Sequence, residues 1–149
     1  MILQETFVIR DASYYNPNEM RTSSVLSIPN MPVNFKATFK IKRMGSSGLA
    51  SWVEVGTDNN NFLAFGENGS QSLGLFRKTN GSYSTFANQN VLTQTNVEYP
   101  IEFTYEDGAL TLKCNATTLT GTFLFTDRNY IHTNIESNNM IKELLIMPL

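Results

Sequence analysis

Apolar and polar residues alternate from Ile101 to Asn115. Ile101, Phe103 and Tyr105 interleave with Glu102, Thr104 and Glu106, and Leu110, Leu112 and Cys114 interleave with Thr111, Lys113 and Asn115. Asp107-Gly108 separates the two runs. Alternation on both sides of an Asp-Gly pair predicts an antiparallel hairpin, each strand with one buried and one wet face. Val33–Met44 repeats the pattern, with Phe35, Ala37, Phe39 and Ile41 on one face. Asn80-Gly81 predicts a second tight hairpin, joining Ser72–Lys78 to Tyr83–Ala87. Further strands are expected at Thr6–Ile9, Thr22–Ile28, Leu49–Val55, Phe62–Phe65, Leu119–Phe125 and Ile141–Met147. Stretches rich in Gly, Pro, Asn and Ser read as loops: Asp11–Glu19, Gly45–Gly48, Gly56–Asn61, Asn88–Asn96 and Asp127–Asn139.

No window carries a capped helical period. Asn138–Leu149 comes nearest, but Pro148 and the compact Leu144-Leu145-Ile146 run favour a buried strand. Many short strands between frequent turns predict an all-β sandwich or barrel. No repeat or linker divides residues 1–149, which read as one β-sandwich domain.

The net charge of −2 comes without a basic block. The densest basic run, Lys36, Lys40, Lys42 and Arg43, alternates with core residues and reads as a solvated strand face. A nucleic-acid partner is therefore not expected. No apolar run reaches the roughly 18 residues a membrane span needs, so membrane insertion is not expected either. The start, Met1-Ile2-Leu3-Gln4-Glu5, does not read as a secretory signal. Cys114 is the single cysteine, on an apolar strand face, where it reads as a small core residue. With 17 Asn, 16 Thr and 12 Ser against 16% charged residues, the surface is built from amides and hydroxyls. That suits extracellular or virion β-proteins and hydrogen bonding to sugars.

The order of elements resembles the concanavalin A-like jelly-roll sandwich, the lectin and laminin-G-like fold. The likeness is carried by the long strand Val33–Ile41, the strand–turn–strand Trp52–Phe65, the hairpin Pro100–Leu112, and a closing strand, Ile141–Ile146, returning beside the first. The resemblance implies two antiparallel sheets. The Asn-rich, cysteine-poor character is also similar to modules of phage tail, baseplate and receptor-binding proteins.

Some proteins of this fold cleave polysaccharides, and retaining enzymes set two carboxyls about 5–5.5 Å apart. The chain offers no such run. Glu102, Glu106 and Asp107 lie on a wet hairpin face, and Glu54 beside Trp52 stands alone. His132, the only histidine, reads as an exposed loop residue. One Cys and one His do not make a zinc site. Legume-type relatives hold calcium in an acidic loop, but Asp58-Asn59-Asn60-Asn61 carries a single carboxylate and reads as a hydrogen-bonded turn. No catalytic residue, metal or cofactor is expected.

Aromatic residues are the strongest pointer to a ligand, because a sugar presents C–H groups from its ring face and hydroxyls from its edge. Trp52 is out of phase with Val53 and Val55, so it points away from the core if those two face it. Tyr83 and Tyr105 are also candidates to leave the core. The chosen carbohydrate-binding set is Trp52, Arg128, Asn129 and Tyr130. The expected function is a non-catalytic recognition or structural module of a phage virion, made in the host cytoplasm. It would bind host cell-surface saccharide alongside other virion proteins, as a homo-oligomer, for example a trimer, whose copies add avidity. A purely structural virion adaptor is the second reading, and a polysaccharide-degrading enzyme the third.

Overall fold

The computed structural model describes residues 3–6, 8–10, 13–28, 31–45, 50–69, 71–136 and 139–149. The strands are β1 (Leu3–Thr6), β2 (Val8–Arg10), β3 (Ser13–Met20), β4 (Ser24–Ser27), β5 (Phe35–Arg43), β6 (Ser51–Asp58) and β7 (Asn61–Glu67). They continue with β8 (Ser72–Thr79), β9 (Ser82–Asn90), β10 (Glu98–Glu106), β11 (Ala109–Cys114), β12 (Thr117–Thr122), β13 (Tyr130–Ile135) and β14 (Asn139–Pro148). They form two seven-stranded sheets, ordered β1-β4-β13-β6-β7-β8-β9 and β12-β11-β10-β5-β14-β3-β2. All pairs are antiparallel except β1 with β4. None of the described residues is helical.

Alternation sets the layers. Phe35, Ala37, Phe39 and Ile41 of β5 join Ile101, Phe103 and Tyr105 of β10 on the inner face of one sheet. Val53 and Val55 of β6 with Leu63 and Phe65 of β7 meet them from the other. Phe65 and Phe103 stack across the interface, their centroids 3.9 Å apart and their planes within 6°. Both predicted two-residue turns form as expected. Asn80 and Gly81 have φ of 49° and 82°, and Asp107 and Gly108 have 48° and 90°. Positive φ at both central residues is the type I′ turn that matches strand twist.

Two expected loops are strands. Within Asp11–Glu19, residues from Ser13 onward belong to β3, which lies between β14 and β2. Pro17 is tolerated there because the β3–β14 register shifts between Lys142 and Leu144, where Glu143 adopts φ 56°. At such a bulge the missing N–H leaves no ladder bond unmade. Within Asp127–Asn139, Tyr130–Ile135 forms β13, a central strand between β4 and β6. The strand expected to run through Phe125 stops at Thr122. The closing strand, β14, returns beside the long strand β5, with β3 on its other side. Tyr105 stays in the core. Of the Gly45–Gly48 turn, residues 46–48 lie outside the described residues, as does the expected strand start at residue 49.

Arg43 departs from the solvated face expected of its run. It is buried at one end of the sandwich, where its Nη2 donates to the Thr93 carbonyl at 2.9 Å and its Nη1 lies 3.9 Å from Glu67 Oε2. Ser51 Oγ and Asn139 Nδ2 donate to Glu67 Oε1 at 3.4 and 3.1 Å. Burial lifts the Glu67 carboxyl from 4.5 to about 7, against the pull of Arg43.

Candidate functional site

Inward Val53 and Val55 force Trp52 and Glu54 onto the outer face of their sheet. The register then lines up their neighbours. Glu54 lies opposite Ala64 on β7 and His132 on β13, while Gly56 lies opposite Phe62 and Tyr130. Phe62 and Ala64 face Lys78 and Phe76 on β8, and these face Tyr83 and Thr85 on β9. The outer face of β13-β6-β7-β8-β9 is therefore paved with rings. Phe62 stacks on Tyr130 at 6.2 Å and 22°, and Tyr130 on His132 at 5.7 Å and 15°. Trp52 meets Phe76 edge-on at 5.0 Å and 86°, and Phe76 meets Tyr83 at 6.0 Å. The Lys78 ammonium sits over Tyr83 and Phe62, 5.0 and 5.8 Å from their centroids.

Glu54 anchors this surface. The Trp52 Nε1–H donates to its Oε2 at 2.8 Å and the Tyr130 hydroxyl to its Oε1 at 2.7 Å. His132 Nδ1 lies 3.1 Å from the same Oε1 without hydrogen-bond alignment. Burial and the bond to Glu54 push the Tyr130 phenol well above its ordinary range, so it remains a donor. Glu54 is thus spent on orienting rings.

Beside Trp52 a groove of about 380 Å³ opens, lined by Phe76, Tyr83, Asn68, Thr85 and Glu136 as well as the indole. Gly74 shapes its wall: a methyl there would come within 2.5 Å of the Asn68 side chain. Tyr83 is 57% exposed, whereas Trp52 is only 9% exposed and floors the surface. The opposite outer face of the molecule is different. It carries Lys36–Glu102 and Lys40–Glu143 pairs at 2.9 and 2.8 Å, a screened charge ladder of little energetic weight.

Of the four residues chosen from sequence, Trp52 and Tyr130 converge on Glu54. Arg128 does not join them. Its guanidinium packs over Tyr105 and Phe125, and its Nη1 donates to the carbonyls of Pro32 and Val33 at the end of the sandwich. Asn129 is exposed in the turn before β13, its N–H donating to Asp127 Oδ1 at 3.0 Å. His132, expected to be exposed in a loop, is 8% exposed on β13. Glu54, Phe62, Phe76 and His132 were missed as site residues. The phase that set Trp52 apart from Val53 and Val55 also held for Glu54, and Ile131 and Ile135 would have set the phase of His132.

The metal readings find no donor set. Among the described residues no group of three or more His, Cys, Asp or Glu could hold an ion. Asp58 Oδ1 instead accepts from the Asn60 N–H at 2.8 Å and from Asn61 Nδ2 at 3.1 Å, and these donors hold its carboxyl below the usual range. Burial pushes the Cys114 thiol up to about 11, which keeps it unreactive.

No protein-family model and no curated relative matches the sequence. Solved structures do match. Carbohydrate-binding module CBM66 from Bacillus subtilis superposes with a TM-score of 0.63 at 10% identity, over 91% of this chain and 81% of that one. Caenorhabditis elegans galectin LEC-6 gives 0.59 at 10% identity, over 93% and 98%. Domain 4 of AbnA, an extracellular arabinanase from Geobacillus stearothermophilus solved with arabinotriose, gives 0.59 at 16% identity, over 78% and 61%. At these identities the likeness is one of fold, and the chain has the lectin-like jelly-roll β-sandwich architecture.

Proposed function

We propose that the chain is a non-catalytic carbohydrate-recognition module whose ligand lies on the outer face of β13-β6-β7-β8-β9. The carrying observation is the run of rings from His132 through Tyr130 and Phe62 to Tyr83, in which Glu54 holds Tyr130, Phe62 and His132 are buried, and Tyr83 is the ring exposed to a ligand. Ring faces suit the C–H face of a sugar, and Asn68, Thr85 and Glu136 bring hydrogen-bonding groups to the groove edge. Proteins of the same fold supply further support: one is a carbohydrate-binding module, and another was solved with arabinotriose. The non-catalytic reading rests on Glu54, which is committed to Trp52 and Tyr130 and so is poorly placed to serve as acid or nucleophile.

The virion setting, with host-surface saccharide as target, other virion proteins as neighbours and a homo-oligomer for avidity, is supported by composition: abundant Asn, Thr and Ser, few charges and one cysteine. Glycan-array binding by the wild-type chain tests the first part. Binding should be lost in Tyr83→Ala, which removes an exposed ring and leaves the core intact. A protein silent on broad arrays that assembles tightly with another virion protein would favour the purely structural reading.

A further inference from the structure

We propose that the groove beside Trp52 takes an ammonium group carried by the saccharide ligand, an inference that rests on the carbohydrate-binding reading above. The groove combines three aromatic side chains, Trp52, Phe76 and Tyr83, with one carboxylate, Glu136, and no cationic side chain is among its described lining residues. Aromatic faces carry negative potential and attract cations within about 6 Å of the ring centroid. The protein already uses this property: Lys78 seats its ammonium 5.0 Å from the Tyr83 centroid. Lys78 is not among the described lining residues of the groove, and Tyr83 itself is 57% exposed.

Two carboxylates deepen the negative field. Glu136 stands at the groove and engages the Ala50 N–H only at 3.4 Å. Glu54 accepts the Trp52 Nε1–H at 2.8 Å, which pushes electron density into the indole. An anionic sugar would meet Glu136 with no cation among the described lining residues, and a neutral one would leave that carboxylate unused. A positive ligand group answers both. A protonated amino sugar and a choline-type substituent on a glycan share this chemistry.

Trp52 is the only tryptophan in the chain, so its fluorescence reports the groove directly. The titrants are a glucosamine oligomer in mildly acidic buffer, its N-acetylated counterpart and choline. Quenching by the glucosamine oligomer about tenfold tighter than by the N-acetylated one is expected. Glu136→Gln should erase most of that difference. Tyr83→Phe should keep it and Tyr83→Ala lose it. Quenching by choline alone, or by the amino sugar alone, supports the ammonium assignment and identifies its source. Equal or tighter binding of the N-acetylated oligomer overturns the ammonium assignment while leaving carbohydrate recognition standing. Silence from all three titrants, together with silence on glycan arrays, overturns both.

Discussion

The Tyr130 hydroxyl reaches across from β13 to donate to Glu54 on β6 at 2.7 Å, on the same carboxylate that holds the Trp52 indole. Two rings distant in sequence are thereby tied to one buried group. Removing the phenol oxygen in Tyr130→Phe leaves a buried carboxylate one donor short. The expected loss is about 1–3 kcal/mol of unfolding free energy, read from urea denaturation. Saccharide affinity should fall as well, because the Trp52 orientation loses its support.

The two sheets meet at Phe65 and Phe103, whose rings stack 3.9 Å apart with both side chains fully buried. Phe103→Ala opens a cavity that neither sheet can collapse to fill. A loss of about 3–5 kcal/mol is expected, and Phe103→Leu should recover most of it. Equal denaturation midpoints for Phe103→Ala and wild type would show that the stack contributes nothing.

Glu67 makes stability depend on pH. Its carboxyl rises from 4.5 to about 7 in the folded state, chiefly through burial. The folded chain therefore binds the proton more tightly than the unfolded one. Stability from this group is fully present below about 4.5 and declines as pH rises to about 7, by roughly 3 kcal/mol in total. Asp58 and Glu98 are exposed and shifted downward, so their effects have the opposite sign and fall at lower pH. Denaturation midpoints measured across this window should slope in wild type and run flat in Glu67→Gln. A parallel slope in both would assign the effect elsewhere.

Much of this architecture was legible in the alternation, because a two-layer sandwich forces one face of each strand inward. Phe35 to Ile41 and Ile101 to Tyr105 follow that rule, and both Xaa-Gly turns formed with the geometry their residues favour. The failures share a cause. β3 and β13 sit in Asn-rich stretches, and their turn-like composition masked a period carried by few apolar residues. Pro17 looked like a breaker because a bulge created by Glu143, far along the chain, cannot be seen locally. The site was half legible for the same reason. Trp52 and Tyr130 were visible as aromatics, but Glu54 gains its role only when β13 pairs with β6. Arg128 drew notice beside Tyr130, yet it lies before β13 begins, and its guanidinium packs on Tyr105 and Phe125 instead.

The most direct test is amide and indole chemical-shift mapping of the isotopically labelled chain during titration with a glycan selected from the array. The single indole N–H of Trp52 should move first, with backbone shifts confined to β13, β6, β7, β8 and β9. Shifts gathered instead on β5, β10 and β11, around the Lys36–Glu102 ladder, would contradict the assignment of the ring-paved face as the binding surface.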